Sequence, residues 1–248
     1  MSETELFWKA NFNELKQGYK EQGETYVCLL CGHKLQKGII YPVDQVYYEA
    51  YRRMELHIKE KHGSVFEFLI GLDKKLTGLT DHQKNLLALF YQGKNDREIQ
   101  KELEIGSSST IRNHRFVLKE KERQAKLFLA MMELLKEKDE HAPAMLEIPK
   151  HATMIDDRYR VTEEENEKVL KKYFKDGKLT SFSMKQKYKI IVLREMIKRF
   201  DENATYTEKE VNEILKTVFE DFVTLRRYLI EYGFLDRKSD GSSYWIKK

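Results

Sequence analysis

Three helix-forming stretches between Leu79 and Lys119 are separated by breaks of only a few residues, and this punctuation constrains the fold most. Thr80 and Gln83 have the form of a capping box, and the apolar positions Leu86, Leu87, Leu89 and Phe90 lead to Gly93. Asn95 to Ile105 reads as a short second helix. Gly106 and Ser107 make a tight turn, and a third helix opens on Ser108, Ser109, Thr110 and Ile111. Helices joined so closely must cross, which predicts a helix-turn-helix.

The third helix carries the charge. From Ser107 to Lys126 six basic residues (Arg112, Arg115, Lys119, Lys121, Arg123, Lys126) oppose Glu120 and Glu122, a local net of +4. That equals the net of the whole chain, 45 basic against 41 acidic residues, so elsewhere the signs balance. Ile111, His114 and Leu118 fall on the inner side of such a helix and Arg112, Asn113, Arg115 and Lys119 elsewhere. A helix of this kind can neutralise phosphates and read base edges in a major groove. Arg112 suits guanine, Asn113 adenine, and Phe116 a thymine methyl, while Arg115 and Lys119 suit phosphates. The expected contact set is therefore Ser107, Ser108, Ser109, Thr110, Arg112, Asn113, Arg115, Phe116 and Lys119, with double-stranded DNA as partner.

These residues resemble the LuxR-type DNA-binding domain of bacterial transcription regulators. The family pattern is met by Leu79, Thr80, Gly93, Ser107, Thr110, Ile111 and His114. Two departures are Gly106, an extra residue before Ser107, and Gln100, where the family has alanine. The resemblance implies a sequence-specific regulator with this helix as its reader. The contrasting expectation is a protein-interaction or sensor adaptor whose helix-turn-helix no longer reads bases.

The same helix continues past the reader. Ile111, Leu118, Ala125, Phe128, Met132 and Leu135 advance by threes and fours, a heptad seam with His114 and Lys121 at its polar positions. Ala125 to Leu135 is apolar on several sides, so it should pack on a second chain as a homodimer or against this chain's own ends.

Only two cysteines are present, Cys28 and Cys31, with Gly32 directly after them and His57 and His62 further on. A two-residue gap aims both thiols at one point, and a four-residue gap at a helix end brings two imidazoles to the same side. The set resembles two-Cys two-His fingers, although the stretch from Cys31 to His57 is about twice the usual length for that class. A structural Zn2+ held by Cys28, Cys31, His57 and His62 is expected, with His33 as a substitute ligand. A redox pair or buried thiols beside surface histidines are the alternatives.

Around the cysteines, residues 5 to 20 read as one helix, and Thr25–Leu29 and Lys37–Tyr41 as a hairpin. A helix opened by Pro42 and Asp44 should run to His62 and stop at Gly63. From Glu137 to Val161 the periodicity fades and Pro143 and Pro149 appear, which reads as a linker. Beyond it, Thr162 with Glu165 and Thr207 with Glu210 look like capping boxes, and a further helix starts near Asp221. Two short strands around Asp240-Gly241 close the chain. Three helices followed by a hairpin is winged-helix order, which would place Arg226 and Arg227 on a reading helix and Arg237 on the wing as further DNA contacts. Residues 166 to 248 resemble a domain of unknown function found at the C-terminus of bacterial regulators, on Phe182, Tyr206 to Asn212, Asp221 to Leu229, Gly233 to Arg237 and Tyr244-Trp245.

The expected fold is mainly α: a zinc-knuckle domain over 1–75, a helix-turn-helix with extended helix over 76–138, a linker over 139–161 and a winged-helix-like domain over 162–248. The longest uncharged apolar run, Leu127 to Met132, is far short of the ~20 residues of a membrane span. With no basic, apolar leader at the start, a cytoplasmic protein is expected. Enzymatic motifs are missing: no glycine-rich phosphate loop, no Gly-x-Ser-x-Gly elbow and no acid cluster for magnesium. A non-enzyme is expected.

Overall fold

The computed structural model describes residues 3–149, 156–201 and 204–247. It is mainly helical with short antiparallel hairpins and divides into two compact units, Met1–Leu76 with Ala144–Lys248, and Thr77–Pro143. Among the described residues no helix is long and apolar enough to cross a membrane.

The chain begins with α1 (Glu3–Trp8) and α2 (Phe12–Gln17) rather than one helix. Asn11 causes the break: its side chain accepts from Glu14 N, and the Glu14 carboxylate accepts from Asn11 N at 2.8 Å. A residue so bonded sits outside the helix and starts a new one. Gly18 ends α2 at φ +82°, where a Cβ would lie 2.6 Å from Val65 Cγ2, so only glycine fits. Strands β1 (Tyr19–Gln22), β2 (Thr25–Cys28) and β3 (Lys34–Gln36) form one antiparallel sheet in that order.

The expected helix start at Pro42 and Asp44 is not what forms. Strands β4 (Ile40–Val43) and β5 (Val46–Glu49) pair as a second hairpin, with Val43 opposite Val46. Asp44 and Gln45 both have positive φ, 46° and 68°, as a two-residue hairpin turn of this hand requires. Pro42 is tolerated on the edge strand of a two-stranded ribbon. Helix α3 (Ala50–His62) starts only after β5 and ends at Gly63, as expected. Its buried Ala50, Met54 and Ile58 pack with Val27, Leu29, Leu30 and Leu35. Helices α4 (Val65–Gly71) and α5 (Lys74–Thr77) complete this part.

Helices α6 (Asp81–Tyr91), α7 (Asp96–Glu102) and α8 (Ser108–Lys136) follow with the expected breaks. Each start is capped: Thr80 and Gln83 bond reciprocally, as do Asn95 and Glu98, and Ser107 accepts from Thr110 N. Leu86, Leu89, Ile99 and Ile111 form the buried core between the three helices. Because Asn95 satisfies both Arg97 N and Glu98 N, Asn95→Ala is expected to cost about 1 kcal/mol. Amide hydrogen exchange in 96–102 should accelerate correspondingly.

The stretch expected as a linker is partly ordered. Met145 bridges to Thr162, Leu146 N donates to Val161 O, Trp8 Nε1 donates to Ile148 O at 2.7 Å, and Arg194 donates to Glu147 O. Residues 144–149 are thus strapped between the two ends of the chain, which is why both ends fall in one compact unit rather than the two separate domains expected. Residues 150–155 of that stretch lie outside the described residues.

The C-terminal part contains α9 (Glu163–Tyr173), a small hairpin β6 (Phe174–Lys175) and β7 (Lys178–Leu179), α10 (Gln186–Ile197), α11 (Glu208–Lys216), α12 (Phe222–Glu231), and the hairpin β8 (Leu235–Arg237) and β9 (Tyr244–Ile246). Thr207 and Glu210 form the expected capping box. Thr162 caps α9 one way only, because Glu165 pairs with Lys187 instead of returning to the cap. Leu193, Met196, Val211, Leu215, Leu225 and Leu229 centre a core onto which Tyr232 and Tyr244 also close. The three helices α10, α11 and α12 followed by a hairpin keep the expected winged-helix order.

Candidate metal centre and nucleic-acid interface

Cys28 is the last residue of β2, and the chain turns at once: Gly32 N donates to Cys28 O, and Cys28 N to His33 O, both at 2.8 Å. Gly32, at φ +72°, makes this reversal possible and leaves Cys31 on the same side as Cys28. Helix α3 supplies the other half, His57 from its buried face and His62 from its last position. One atom from each of Cys28, Cys31, His57 and His62 lies within 4.8 Å of the others. Cys31 Sγ is 3.2 Å from His57 Nε2, and Cys28 Sγ is 3.7 Å from His62 Nε2. A tetrahedral zinc ion with ordinary bond lengths would set such sulfur–nitrogen edges at roughly 3.5 Å. The four side chains can therefore hold a metal ion with little rearrangement.

The electrostatics favour a ligand set over inert thiols. The hydrogen bond with Cys28, followed by that to His57, lowers Cys31 far below the ordinary thiol range, while the same Cys28–Cys31 bond and burial raise Cys28. A thiol lowered in this way is suited to act as a metal ligand. His33 is outside the set; it stacks on His57 with ring centroids 4.4 Å apart, steadying that imidazole.

On α8 the expected reading residues separate by partner. Ser109, Arg112, Asn113 and Phe116 recur at helical spacing on one exposed face, Phe116 with 61% of its surface open. Among the described residues, no ion pair or hydrogen bond engages the side chains of Arg112 or Asn113. Ile111, from the opposite side of the same turn, is fully buried. Ser107 Oγ contacts Ser109 Oγ and Thr110 Oγ1 at 2.6 and 3.2 Å, so the first turn is held by its own hydroxyls. Ser108 is half-buried beside them.

Other charges of the set are already shared. Arg115 bonds Asp96 Oδ1 at 3.0 Å and lies 3.7 Å over the Phe90 ring, clamping α8 to both preceding helices. Lys119 pairs with Glu122, and Arg123 with Glu120. His114 meets His82 at 3.3 Å between their Nε2 atoms, which agrees with an inner-face packing role. The Asp96–Arg115–Phe90 clamp escaped the sequence reading, because its partners are up to 25 positions apart and periodicity carries no sign of it.

In the C-terminal part Arg226 does not stand on an open reading face. It is tied to Asn212 at 2.5 Å and Glu208 at 2.7 Å on α11, with only 14% of its side chain exposed. Helical spacing turns Arg226 toward its neighbour because Leu225 and Leu229 beside it are fully buried. Arg227 and Arg237 are exposed.

Comparison with known families identifies one match: residues 178–246 fit the family described as an uncharacterized protein conserved in bacteria (DUF2087). This covers β7 to β9 and agrees with the resemblance of the C-terminal part. No curated protein and no solved structure matches the chain.

Proposed function

We propose that this chain is a sequence-specific, DNA-binding transcription regulator that reads duplex DNA with the first turns of α8. The observation that carries the reading is the face of Ser109, Arg112, Asn113 and Phe116, exposed and with Arg112 and Asn113 uncommitted while the neighbouring cations are paired. A guanidinium and an amide, side by side on a helix held from behind by Ile111, are suited to bidentate contact with guanine and adenine. Arg227 and Arg237 offer a secondary contact, and Arg226 belongs to packing. The LuxR-type resemblance supports the same reading.

We further propose that the Cys28, Cys31, His57 and His62 set holds zinc in a structural role. Two thiolates and two imidazoles in a closed set of four suit zinc above harder cations, and no position remains for a substrate.

The test begins with selection of bound sequences from a random duplex pool by the full chain. Wild type is expected to enrich a motif, and Arg112→Ala with Asn113→Ala to abolish the enrichment while leaving the helical content unchanged. In a salt titration Lys119→Ala should reduce the slope of log affinity by ~0.9, because one phosphate is no longer neutralised. No enrichment by wild type would overturn the proposal in favour of an adaptor with a degenerate helix-turn-helix.

A further inference from the structure

Two histidines meet between the start of α6 and the second turn of α8. His82 Nε2 and His114 Nε2 lie 3.3 Å apart, with ring centroids 4.9 Å apart and ring planes inclined by 62°. A direct N–H···N bond is strongest when linear, and it would then hold the ring centres roughly 5.6 Å apart. The centres are closer than that, so the ring axes are inclined to the line joining the nitrogens. Two lone pairs aimed at one ion require such an inclination, whereas a hydrogen bond is weakened by it. A tetrahedral ion with ordinary metal–nitrogen bonds would set the nitrogen–nitrogen edge at roughly 3.3 Å and the ring centres at roughly 5.2 Å. The observed pair is nearer to this chelate than to a linear hydrogen bond.

The surroundings admit a cation. Lys121 is tied to Gly78 O at 3.0 Å and stands roughly 10 Å along α8 from His114. Arg115, next to His114, is turned to Asp96 and the Phe90 ring. The start of α6 is the positive end of its dipole, and Asp81 in the same turn offsets it. His82 is exposed and His114 half-buried, so water can reach the space between them. Among the described residues no third cysteine, histidine or carboxylate joins the pair.

We propose that His82 and His114 form a second metal site, of two ligands, for a divalent transition-metal ion whose remaining positions are filled by water. Imidazole favours late first-row ions such as Ni2+ and Cu2+ over Mg2+ and Ca2+, which prefer oxygen. Two ligands hold an ion more weakly than a closed set of four, so this site fills only after the cysteine-containing cluster. A bound ion would join α6 directly to α8 over a core of four buried residues and stabilise that unit by mass action. If the DNA reading holds, metal occupancy would thereby steady the helix that carries Arg112 and Asn113; the site itself does not depend on that reading.

Equilibrium dialysis of the untagged full chain against Ni2+ provides the test. Wild type is expected to take up one equivalent more than either His82→Gln or His114→Gln, with a dissociation constant in the micromolar range. The count is a difference between chains, so it reads the same whether or not the Cys28 cluster holds an ion. At free Ni2+ ten times the dissociation constant, amide exchange in 81–91 and 108–118 should slow about tenfold in wild type and stay unchanged in both variants. Glutamine keeps an amide near the place of Nε2 and so preserves a hydrogen bond without an imidazole ligand. A pair that is only hydrogen-bonded would therefore give equal Ni2+ uptake in all three chains, which overturns the proposal. Loss of uptake in only one of two folded variants overturns the shared site, and equal slowing by Mg2+ overturns imidazole ligation. His82→Gln lies at an exposed position that leaves the core intact, so its comparison with wild type decides the matter even if His114→Gln disturbs the fold.

Discussion

Metal-free full chain titrated with zinc is expected to take up one equivalent and to gain ordered structure around β1–β3 and α3; a chelator should reverse the change. The expected effect is large because the four side chains tie the turn after β2 to the end of α3. Leu6, Phe7, Val27, Leu29, Leu30, Leu35, Met54, Ile58 and Leu72 are buried around it, and Cys28 sits among them at the seam between sheet and helix. Removing the ion leaves two thiols and two imidazoles facing one another within 4.8 Å. Structural zinc in small modules contributes on the order of 10 kcal/mol or more of folding free energy, so the module should not survive its loss intact. Trp8, packed edge-on against Phe7 at 5.2 Å between centroids, reports the change by fluorescence. Cys31→Ser should lose the stoichiometric zinc, while His33→Ala should retain it, because the His33 ring stacks on His57 and lies outside the set of four. A chain that binds no zinc, or keeps its N-terminal structure in excess chelator, would refute a structural metal.

Ile111→Ala is expected to unfold the unit of α6, α7 and α8 while the other unit stays folded. The core of α6, α7 and α8 has only four buried residues, Leu86, Leu89, Ile99 and Ile111, and Ile111 is completely enclosed. Truncating a buried isoleucine to alanine costs about 2–5 kcal/mol, comparable with the whole stability of so small a core. Alanine is the better helix former, so any loss comes from packing and not from propensity. The expected signal is a marked fall in helical circular dichroism, as α8 loses its docking turn. Zinc uptake should be unchanged. Ile111→Val, which removes one methylene group, should cost only about 0.5–1.5 kcal/mol and serves as the control. A cost below about 1 kcal/mol for the alanine variant would mean that α8 is not held through this residue.

Local features were legible from sequence because their partners are local. Thr80 with Gln83, Thr207 with Glu210 and Gly63 act within one turn of the residues they cap, so a short window of chain contains the whole interaction. The candidate metal cluster was likewise legible, since Cys28 and Cys31 share a turn and His57 and His62 share a helix end. The readings that failed are those in which a local signal was ambiguous. Pro42 and Asp44 resemble a helix start, yet Asp44 and Gln45 adopt positive φ in a hairpin turn, which lacks the usual Asn-Gly or Asp-Gly signature. The apolar spacing of residues 5 to 20 suits one helix, yet Asn11 caps a second.

Residue pattern alone established the breaks between α6, α7 and α8, the capped helix starts, the residues of the candidate metal cluster and the net charge of α8. Tertiary structure decided the destination of each long side chain: Arg115 onto Phe90 and Asp96, Arg226 onto Glu208 and Asn212, Arg194 onto Glu147, with Arg112 left open. A cap is selected by hydrogen bonds three residues away, whereas an arginine's partner depends on which distant surface the packed core brings within reach, and hydrophobic periodicity is silent on that choice.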